Sequence, residues 1–139
     1  MKVMKNTTEN CYGIGSHLIL DCYGCPGEKL EDTSQIYYLL DTFPARLGLT
    51  KISSPSVFKH EQESPDESGI TGIVLVAEAH VSLHTFPAKG HVFIDIFSNL
   101  DFDADRACRE LIDFFGAQSH EASVLNRNAD LFELPRIFH

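Results

Sequence analysis

The sequence predicts an α+β fold, a two-layer sandwich in which two helices cover one face of a mostly antiparallel sheet. The chain has 139 residues, of which 43% are hydrophobic, and this is enough for one domain with one core. Two segments show helical periodicity, and several others show the apolar or alternating pattern of strands. Their order is strand, helix, strands, helix and strand, which is typical of helices packed on one face of a sheet.

Six segments are predicted to be strands because they are apolar or alternate in polarity: residues 16–23, 49–58, 70–77, 80–86, 91–97 and 119–125. The stretch 70–77 is rich in β-branched residues and is expected to be a central strand. Residues 87–90 (PAKG) are expected to form a turn, and the charged residues 60–68 an exposed loop. Together these segments predict a meander.

The first helix is predicted to start near residue 32. Asp32 or Thr33 can cap it, because a short oxygen-bearing side chain accepts from the free N–H groups at a helix start. An apolar face then recurs at helical spacing through Ile36, Leu39, Leu40 and Phe43. Pro44 is expected to end or kink the helix, and Gly48 is a suitable stop.

The second helix is predicted over residues 101–115, with Asp101 or Asp103 as its cap. Its apolar stripe comprises Ala107, Leu111, Ile112 and Phe115. Gly116 follows the stripe, where a left-handed backbone conformation suits glycine. With both helices on one face, the opposite face of the sheet must be solvated or must pack against a second protomer.

The chain is acidic, with 11 Lys and Arg against 20 Asp and Glu and a formal net charge of −9. Such a charge repels phosphate backbones, so we expect no nucleic-acid partner. No apolar run approaches the ~20 residues that span a membrane. No signal-peptide pattern follows the polar N-terminus. The expected location is therefore the cytoplasm, without a membrane partner.

Four cysteines are present, and Cys22 and Cys25 form a C-x-x-C motif. Pro26 and Gly27 follow the motif, which favours a turn over the helix start of a redox protein. A zinc ribbon needs a second cysteine pair, and Cys108 stands alone. The cysteines are expected to be ordinary reduced thiols, as in other cytosolic proteins.

The middle of the chain concentrates polar chemistry, because three histidines, a glutamate and an aspartate fall within 22 residues. His80, Ser82 and His84 share one face of a strand, and His91 and Asp95 lie near them if the next strand pairs. Imidazole and carboxylate suit zinc, so a metal site is one hypothesis. No metal-binding signature accompanies these residues, and a hydrogen-bonded histidine face on a half-polar sheet is the simpler interpretation.

A resemblance to the short, prokaryotic-type S-adenosylmethionine decarboxylases is carried by residues 78–99, EAHVSLHTFPAKGHVFIDIFSN. The self-cleavage region of that family is close to E-S-H-[aliphatic]-[ST]-[aliphatic]-H-T-[aromatic]-P-E, then a glycine turn and D-[aliphatic]-F-[ST]-C-G. The positions that fit this pattern are Glu78, His80, Ser82, His84, Thr85, Phe86, Pro87, Gly90, Asp95, Phe97 and Ser98. Residues 15–23 and 69–76 are similar to the family's opening strand and to the strand before its cleavage point.

The resemblance extends over roughly residues 14–125, and the loop 60–68 is longer than in typical members. We therefore expect an S-adenosylmethionine decarboxylase-like domain at residues 15–126, between a flexible N-terminal arm (1–14) and a C-terminal tail (127–139). The resemblance also implies the family's dimer, in which two sandwiches associate as αββα.

The chemistry of the family starts from a serine that follows the glutamate. Its hydroxyl attacks the preceding carbonyl, the chain is cleaved, and the new N-terminus becomes a pyruvoyl group that serves as the electron sink in decarboxylation. The resemblance places the cleavage bond after Glu78 and the residues that assist processing at Thr71 and His84. It places the aromatic residues that stack on the substrate adenine at Phe58 and Phe86.

Three positions depart from the family pattern, and all three carry its chemistry. Ala79 stands at the serine position and has no oxygen that could attack a carbonyl. Asn99 stands at the position of the general-acid cysteine, and an amide does not donate a proton as a thiol does. Ala88 stands at the position of a substrate-binding glutamate. We therefore expect an uncleaved chain that has no pyruvoyl cofactor and is inactive as a decarboxylase.

Several hypotheses follow from the resemblance and its departures. The main one is a non-catalytic or regulatory paralogue linked to polyamine (spermidine) biosynthesis, which forms a homodimer or pairs with an active homologue. A second is an uncleaved Ser-to-Ala trapped form of an active enzyme, although a trap needs one change and three are present. A third is a metal- or histidine-dependent enzyme on the same fold. A fourth is a sensor that binds an S-adenosylmethionine-like small molecule without turnover.

Overall fold

A computed structural model of the chain describes residues 3–5 and 13–128. Its strands are β1 (Val3–Lys5), β2 (Gly13–Tyr23), β3 (Ser56–His60), β4 (Gly69–Val76), β5 (Ala79–Phe86), β6 (His91–Ser98) and β7 (Ser119–Asn128). Its helices are α1 (Gly27–Leu30), α2 (Thr33–Arg46) and α3 (Ala104–Phe115), with a 3-10 turn at Pro65–Glu67. None of the helices in the described residues is long and apolar enough to cross a membrane.

The strands form one seven-stranded sheet in the order β1-β7-β2-β6-β5-β4-β3. All neighbours pair antiparallel except β1, which is parallel to β7. Strands β4, β5 and β6 form the predicted meander, and the predicted α+β sandwich is confirmed. Strand β1 lies within the stretch predicted to be a flexible arm, and no strand was predicted there. Most of the predicted tail, residues 129–139, lies outside the described residues.

Helix α2 begins as predicted and ends later than expected. The Asp32 side chain caps it by accepting from the Gln35 N–H at 3.1 Å. Pro44 was expected to end or kink the helix, and an end there was wrong because the helix continues to Arg46. A proline in the last turn removes only one hydrogen bond, which the helix tolerates there. Gly48 follows the helix with φ 78°, the left-handed conformation predicted for the stop.

The second predicted strand, residues 49–58, was misplaced. Strand β3 starts at Ser56 because Pro55, which lacks an N–H, separates it from the preceding segment. Before Pro55 the chain makes only an isolated bridge between Lys51 and Val76. The observed strand is shorter than predicted and ends at His60, which had been assigned to the exposed loop.

The core lies between the sheet and the helices. The largest fully buried side chains come from both layers: Phe43, Phe115, Leu18, Leu20, Leu30, Ile36, Leu40, Ile70, Leu83, Ile94, Ile96 and Leu111. Burying a side chain of this size stabilises the fold by about 1.5–3 kcal/mol. Glu110 of α3 also joins the two long helices, because it accepts from Arg46 of α2 at 2.7 Å and from Arg106 at 2.8 Å.

The opposite face of the sheet is covered by no helix in the described part of the chain, and we call it the open face. It consists of the alternate residues of β2 to β6 that point away from the helices. On β2, β5 and β6 these are His17, Ile19, Asp21, Tyr23, His80, Ser82, His84, Phe86, His91, Phe93, Asp95 and Phe97; on β3 and β4 they are Phe58, His60, Thr71, Ile73 and Leu75. The predicted site residues on this surface are Phe58, Thr71, His84 and Phe86.

One buried hydroxyl joins β5 to its surroundings on the helix side. Thr85 is fully buried. Its Oγ1 donates to the Leu30 carbonyl oxygen at 2.8 Å and accepts from the Ile70 N–H at 2.9 Å. Because α1 and β4 both depend on this side chain for a hydrogen bond, Thr85 holds the end of β5 in place relative to both elements.

Replacing Thr85 with Val is expected to lower the free energy of unfolding by about 1–3 kcal/mol, because two buried backbone groups lose their partner while the side-chain shape is kept. Urea unfolding followed by circular dichroism measures this loss. Thr85→Ser keeps the hydroxyl and is expected to lose less. A valine variant as stable as the unmodified chain would contradict the role of the hydroxyl, because valine keeps the methyl group and replaces only the hydroxyl.

Candidate functional site

The predicted site residues are divided between the two ends of β5. Glu78, Ala79 and Asn99 lie together at one end, which we call the cleavage end. Ala79 pairs with Ser98 at the end of β6. The Asn99 N–H donates to the Glu78 carbonyl oxygen at 3.0 Å. The two positions that the resemblance assigned to bond cleavage and to the general acid are thus neighbours in space.

The peptide after Glu78 is held firmly at this end. Its carbonyl oxygen accepts from Asn99, and the Glu78 carboxylate Oε1 accepts from the Thr50 N–H at 2.9 Å. The Ala77 N–H donates to the Thr50 carbonyl oxygen at 2.7 Å. A donor aimed at a carbonyl oxygen stabilises negative charge that develops there during attack. The half-buried Ala79 side chain beside this carbonyl offers only a methyl group.

Thr71 and His84 lie toward the other end, which we call the histidine end. They are directly opposite each other on β4 and β5, and Thr71 Oγ1 lies 3.0 Å from His84 Nδ1. Phe58 is opposite Thr71 on β3 and its exposed fraction is 65%. Phe86 packs against Phe93 with 5.4 Å between ring centroids. The structure thus brings together the two predicted processing residues.

The two ends are too far apart to act on each other within one chain. Ala79 and His84 are five residues apart on the same strand, which corresponds to about 16 Å at about 3.3 Å per residue. The hydroxyl and imidazole of the histidine end therefore do not reach the Glu78 carbonyl of the same protomer.

His60 is a site residue that was not predicted from the sequence. It is the last residue of β3, and its Nε2 lies 3.3 Å from Thr71 Oγ1. The prediction of an exposed charged loop over residues 60–68 concealed it. Its spacing of two from Phe58 was the available signal, because residues two apart on a strand share a face.

An open cavity of about 500 Å³ adjoins the histidine end. Its wall includes His60, Glu31, Lys59, Glu61, Gly69 and Ala88. Cavities of a few hundred cubic ångströms suit small molecules. Ala88, at the predicted position of a binding glutamate, supplies no carboxylate to this wall.

The predicted histidine and aspartate cluster does not converge on one point. Asp95 instead pairs with His17, a residue that was not predicted, at 3.0 Å between Oδ1 and Nε2. Two of the predicted histidines pack against aromatic rings, with centroid distances of 6.1 Å for His80 on Phe97 and 4.9 Å for His91 on Tyr23. Within the described residues, no group of three His, Cys, Asp or Glu side chains could hold a metal ion. This geometry does not support the metal hypothesis.

Charges on the open face are closely spaced. Partial burial raises the pKa of Asp21, and the nearby carboxylates of Asp95 and Glu121 raise it further. The His91 imidazole opposes this shift. This part of the face is therefore electronegative and favours cations over anions.

The cysteines of the described residues are free thiols and are buried. Burial raises the pKa of Cys22 to about 12 and that of Cys108 to about 11. The pKa of Cys25 is also raised by burial. Since the thiolate is the reactive form, none of the three is suited to redox catalysis. The prediction that they are ordinary thiols agrees with this.

Comparison with known proteins identifies the family. A family model described as S-adenosylmethionine decarboxylase matches residues 16–128. The S-adenosylmethionine decarboxylase proenzyme of Archaeoglobus fulgidus is 35% identical over 115 residues, covering 82% of this chain and 97% of that protein. The proenzyme of Thermoplasma acidophilum is 39% identical over 102 residues, or 73% of each chain.

A solved structure agrees with this assignment. The crystal structure of the adenosylmethionine decarboxylase from Aquifex aeolicus VF5 matches with a TM-score of 0.71 and 26% identity, covering 91% of this chain and 98% of that one. The protein is an α+β sandwich with the adenosylmethionine decarboxylase fold. It belongs to the S-adenosylmethionine decarboxylase family.

Proposed function

We propose that this chain is a non-catalytic member of its family, which neither cleaves itself nor carries a pyruvoyl group. The observation that carries the proposal is Ala79, because the residue after Glu78 must supply the oxygen that attacks the Glu78 carbonyl. The intact hydrogen bond from Asn99 to that carbonyl supports a specific loss of the nucleophile within a preserved fold. The residues present do not fit a pyruvoyl group, so no decarboxylation step is assigned to this chain.

Two further replacements support the same proposal. Asn99 is next to the Glu78 carbonyl, where the resemblance expects a cysteine that returns a proton to the product. Its amide has no proton to give at neutral pH. Ala88 lies in the cavity wall, where the resemblance expects a glutamate that binds the substrate. Restoring a nucleophile alone would therefore leave both proton donation and substrate binding impaired.

The proposed role is regulatory, within the polyamine (spermidine) biosynthesis that the family serves. We propose that the chain associates through its open face, either with a second copy as a homodimer or with an active homologue. Exposed apolar residues on that face support this, since Phe58, Ile73 and Leu75 have exposed fractions of 65%, 37% and 46%. The separation of the cleavage and histidine ends supports it too. A two-fold packing of open faces, αββα, would set the cleavage end of one protomer against the histidine end of the other.

The cavity at the histidine end is the proposed site for an S-adenosylmethionine-like small molecule. Its carboxylates Glu31 and Glu61 suit the positive charge of such a ligand, and its volume suits one small molecule. A chain that binds this ligand without turning it over would act as a sensor.

Intact-mass spectrometry tests the central proposal. The expected result is one species at the full-length mass of 15.5 kDa. Two fragments that divide between Glu78 and Ala79 would overturn the proposal. The matched variant is Ala79→Ser: if it cleaves on standing, Thr71 and His84 still form a working processing site, and a trapped active enzyme becomes the better explanation. An uncleaved Ala79→Ser variant supports the non-catalytic paralogue.

Association through the open face is tested by Ile73→Lys. The charge is expected to weaken self-association by about tenfold or more, because a buried unpaired ammonium is costly. Sedimentation equilibrium of the purified chain measures this. The control is Tyr38→Lys on the helix side, where the exposed fraction of Tyr38 is 61%, and association should be unchanged. A chain that is monomeric contradicts the proposed homodimer. Self-association that both variants weaken equally contradicts the proposed interface.

Ligand binding is tested by titration calorimetry with S-adenosylmethionine. We expect weak binding to the unmodified chain. Ala88→Glu should strengthen it about tenfold, because the variant restores a hydrogen bond to a charged group. Absence of heat with both proteins at millimolar ligand would reject the small-molecule site while leaving the proposed loss of catalysis intact.

A further inference from the structure

A single hydroxyl connects two imidazole rings at the histidine end. Thr71 Oγ1 lies 3.0 Å from His84 Nδ1 and 3.3 Å from His60 Nε2. The three side chains come from three adjacent strands, and all lie on the open face. His60 stands beside the loop 61–68, outside the residue pattern that carries the family resemblance.

The shared hydroxyl couples the protonation of the two rings. A threonine hydroxyl has one proton, so it donates to one ring and accepts from the other. If Thr71 donates to His84 Nδ1, then His60 must carry its proton on Nε2. If Thr71 donates to His60 Nε2, then His84 must carry a proton on Nδ1, and the neutral His60 carries its own on Nδ1. When both rings are neutral, the two histidines must therefore have the same tautomer, with the proton on Nε2 of both rings or on Nδ1 of both rings.

The surroundings of His60 select between these two states. Its Nδ1 is buried and has no hydrogen-bond partner among the residues that the structure describes. A buried N–H without a partner is rarer in proteins than a buried acceptor without one. The unprotonated form of Nδ1 is therefore favoured, and His60 then donates from Nε2 to Thr71. As a result, the Thr71 proton points at His84 Nδ1.

We propose that His60 is a positioning residue, which fixes the direction of the Thr71–His84 hydrogen bond. In this direction His84 Nδ1 is a proton acceptor facing a hydroxyl, the arrangement in which an imidazole acts as a general base. The inference concerns the same site as the proposed function and rests on it only for the assignment of Thr71 and His84 as processing positions. The tautomers themselves are a property of the intact chain, whether or not it ever cleaves.

Nitrogen-15 NMR of the imidazole rings in mildly alkaline buffer, at about pH 8, tests the inference. In the unmodified chain, Nδ1 of both His60 and His84 should have the shift of an unprotonated nitrogen. In His60→Phe, the ratio of unprotonated to protonated Nδ1 at His84 should fall about tenfold, the effect of losing one directing hydrogen bond. His60→Gln, whose amide N–H can replace the donor, should keep most of the ratio.

Thr71→Val provides the matched control, because it removes the hydroxyl and keeps the shape of the side chain. In that background, His60→Phe should no longer change the ratio at His84. A protonated Nδ1 on His60, or a His84 ratio that is the same in the unmodified chain and in His60→Phe, would overturn the inference. If His60→Phe does not fold, the comparison of Thr71→Val with His60→Gln tests the inference instead. Only Thr71→Val should then change the ratio of unprotonated to protonated Nδ1 at His84.

A second readout uses the Ala79→Ser background. Where that chain cleaves, His60→Phe should slow cleavage by about 10²-fold, the lower range for loss of a positioned base, and His60→Gln should restore most of the rate. An unchanged rate with the shifted tautomer ratio would contradict the positioning role. Cleavage of the unmodified chain would overturn the proposed loss of catalysis and leave the tautomer measurements unaffected.

Discussion

The antiparallel pairing of β5 with β4 and β6 is the constraint on which the rest of the site depends. Side chains alternate between the two faces of a strand, so a shift of one residue would move every polar group of the site into the core. The hydrogen bonds of the buried Thr85 hydroxyl to Leu30 and Ile70 hold this register at one end. The hydrogen bond between Asn99 and Glu78 holds it at the other.

This register produces a site in two halves. One half has the hydrogen-bonded Glu78 carbonyl but no nucleophile. The other half has the Thr71 hydroxyl and two imidazoles, those of His60 and His84, but no carbonyl to act on. The strand between them is rigid and extended, so the halves cannot meet by bending within one protomer. The same separation connects the two proposals, because a second protomer packed on the proposed interface at the open face would bring opposite halves together.

Much of the fold could be predicted from local pattern. Asp32, Gly48 and Gly116 take the capping or stop positions that their chemistry favours, and the alternating residues of β5 and β6 point to the predicted faces. The errors arose where local pattern is weakest. Pro44 is tolerated near a helix end, and β3 starts only after Pro55. The strand also extends to His60, which had been predicted to lie in the loop.

The sequence by itself determined the family, the order of the elements and the types of residue at the reactive positions, because these depend on local periodicity and on a long motif. It could not place His17 beside Asp95, since their strands are distant along the chain. It also could not place His60 beside Thr71, since the predicted loop over residues 60–68 kept His60 out of the sheet. Only the tertiary pairing of the strands decides those distances.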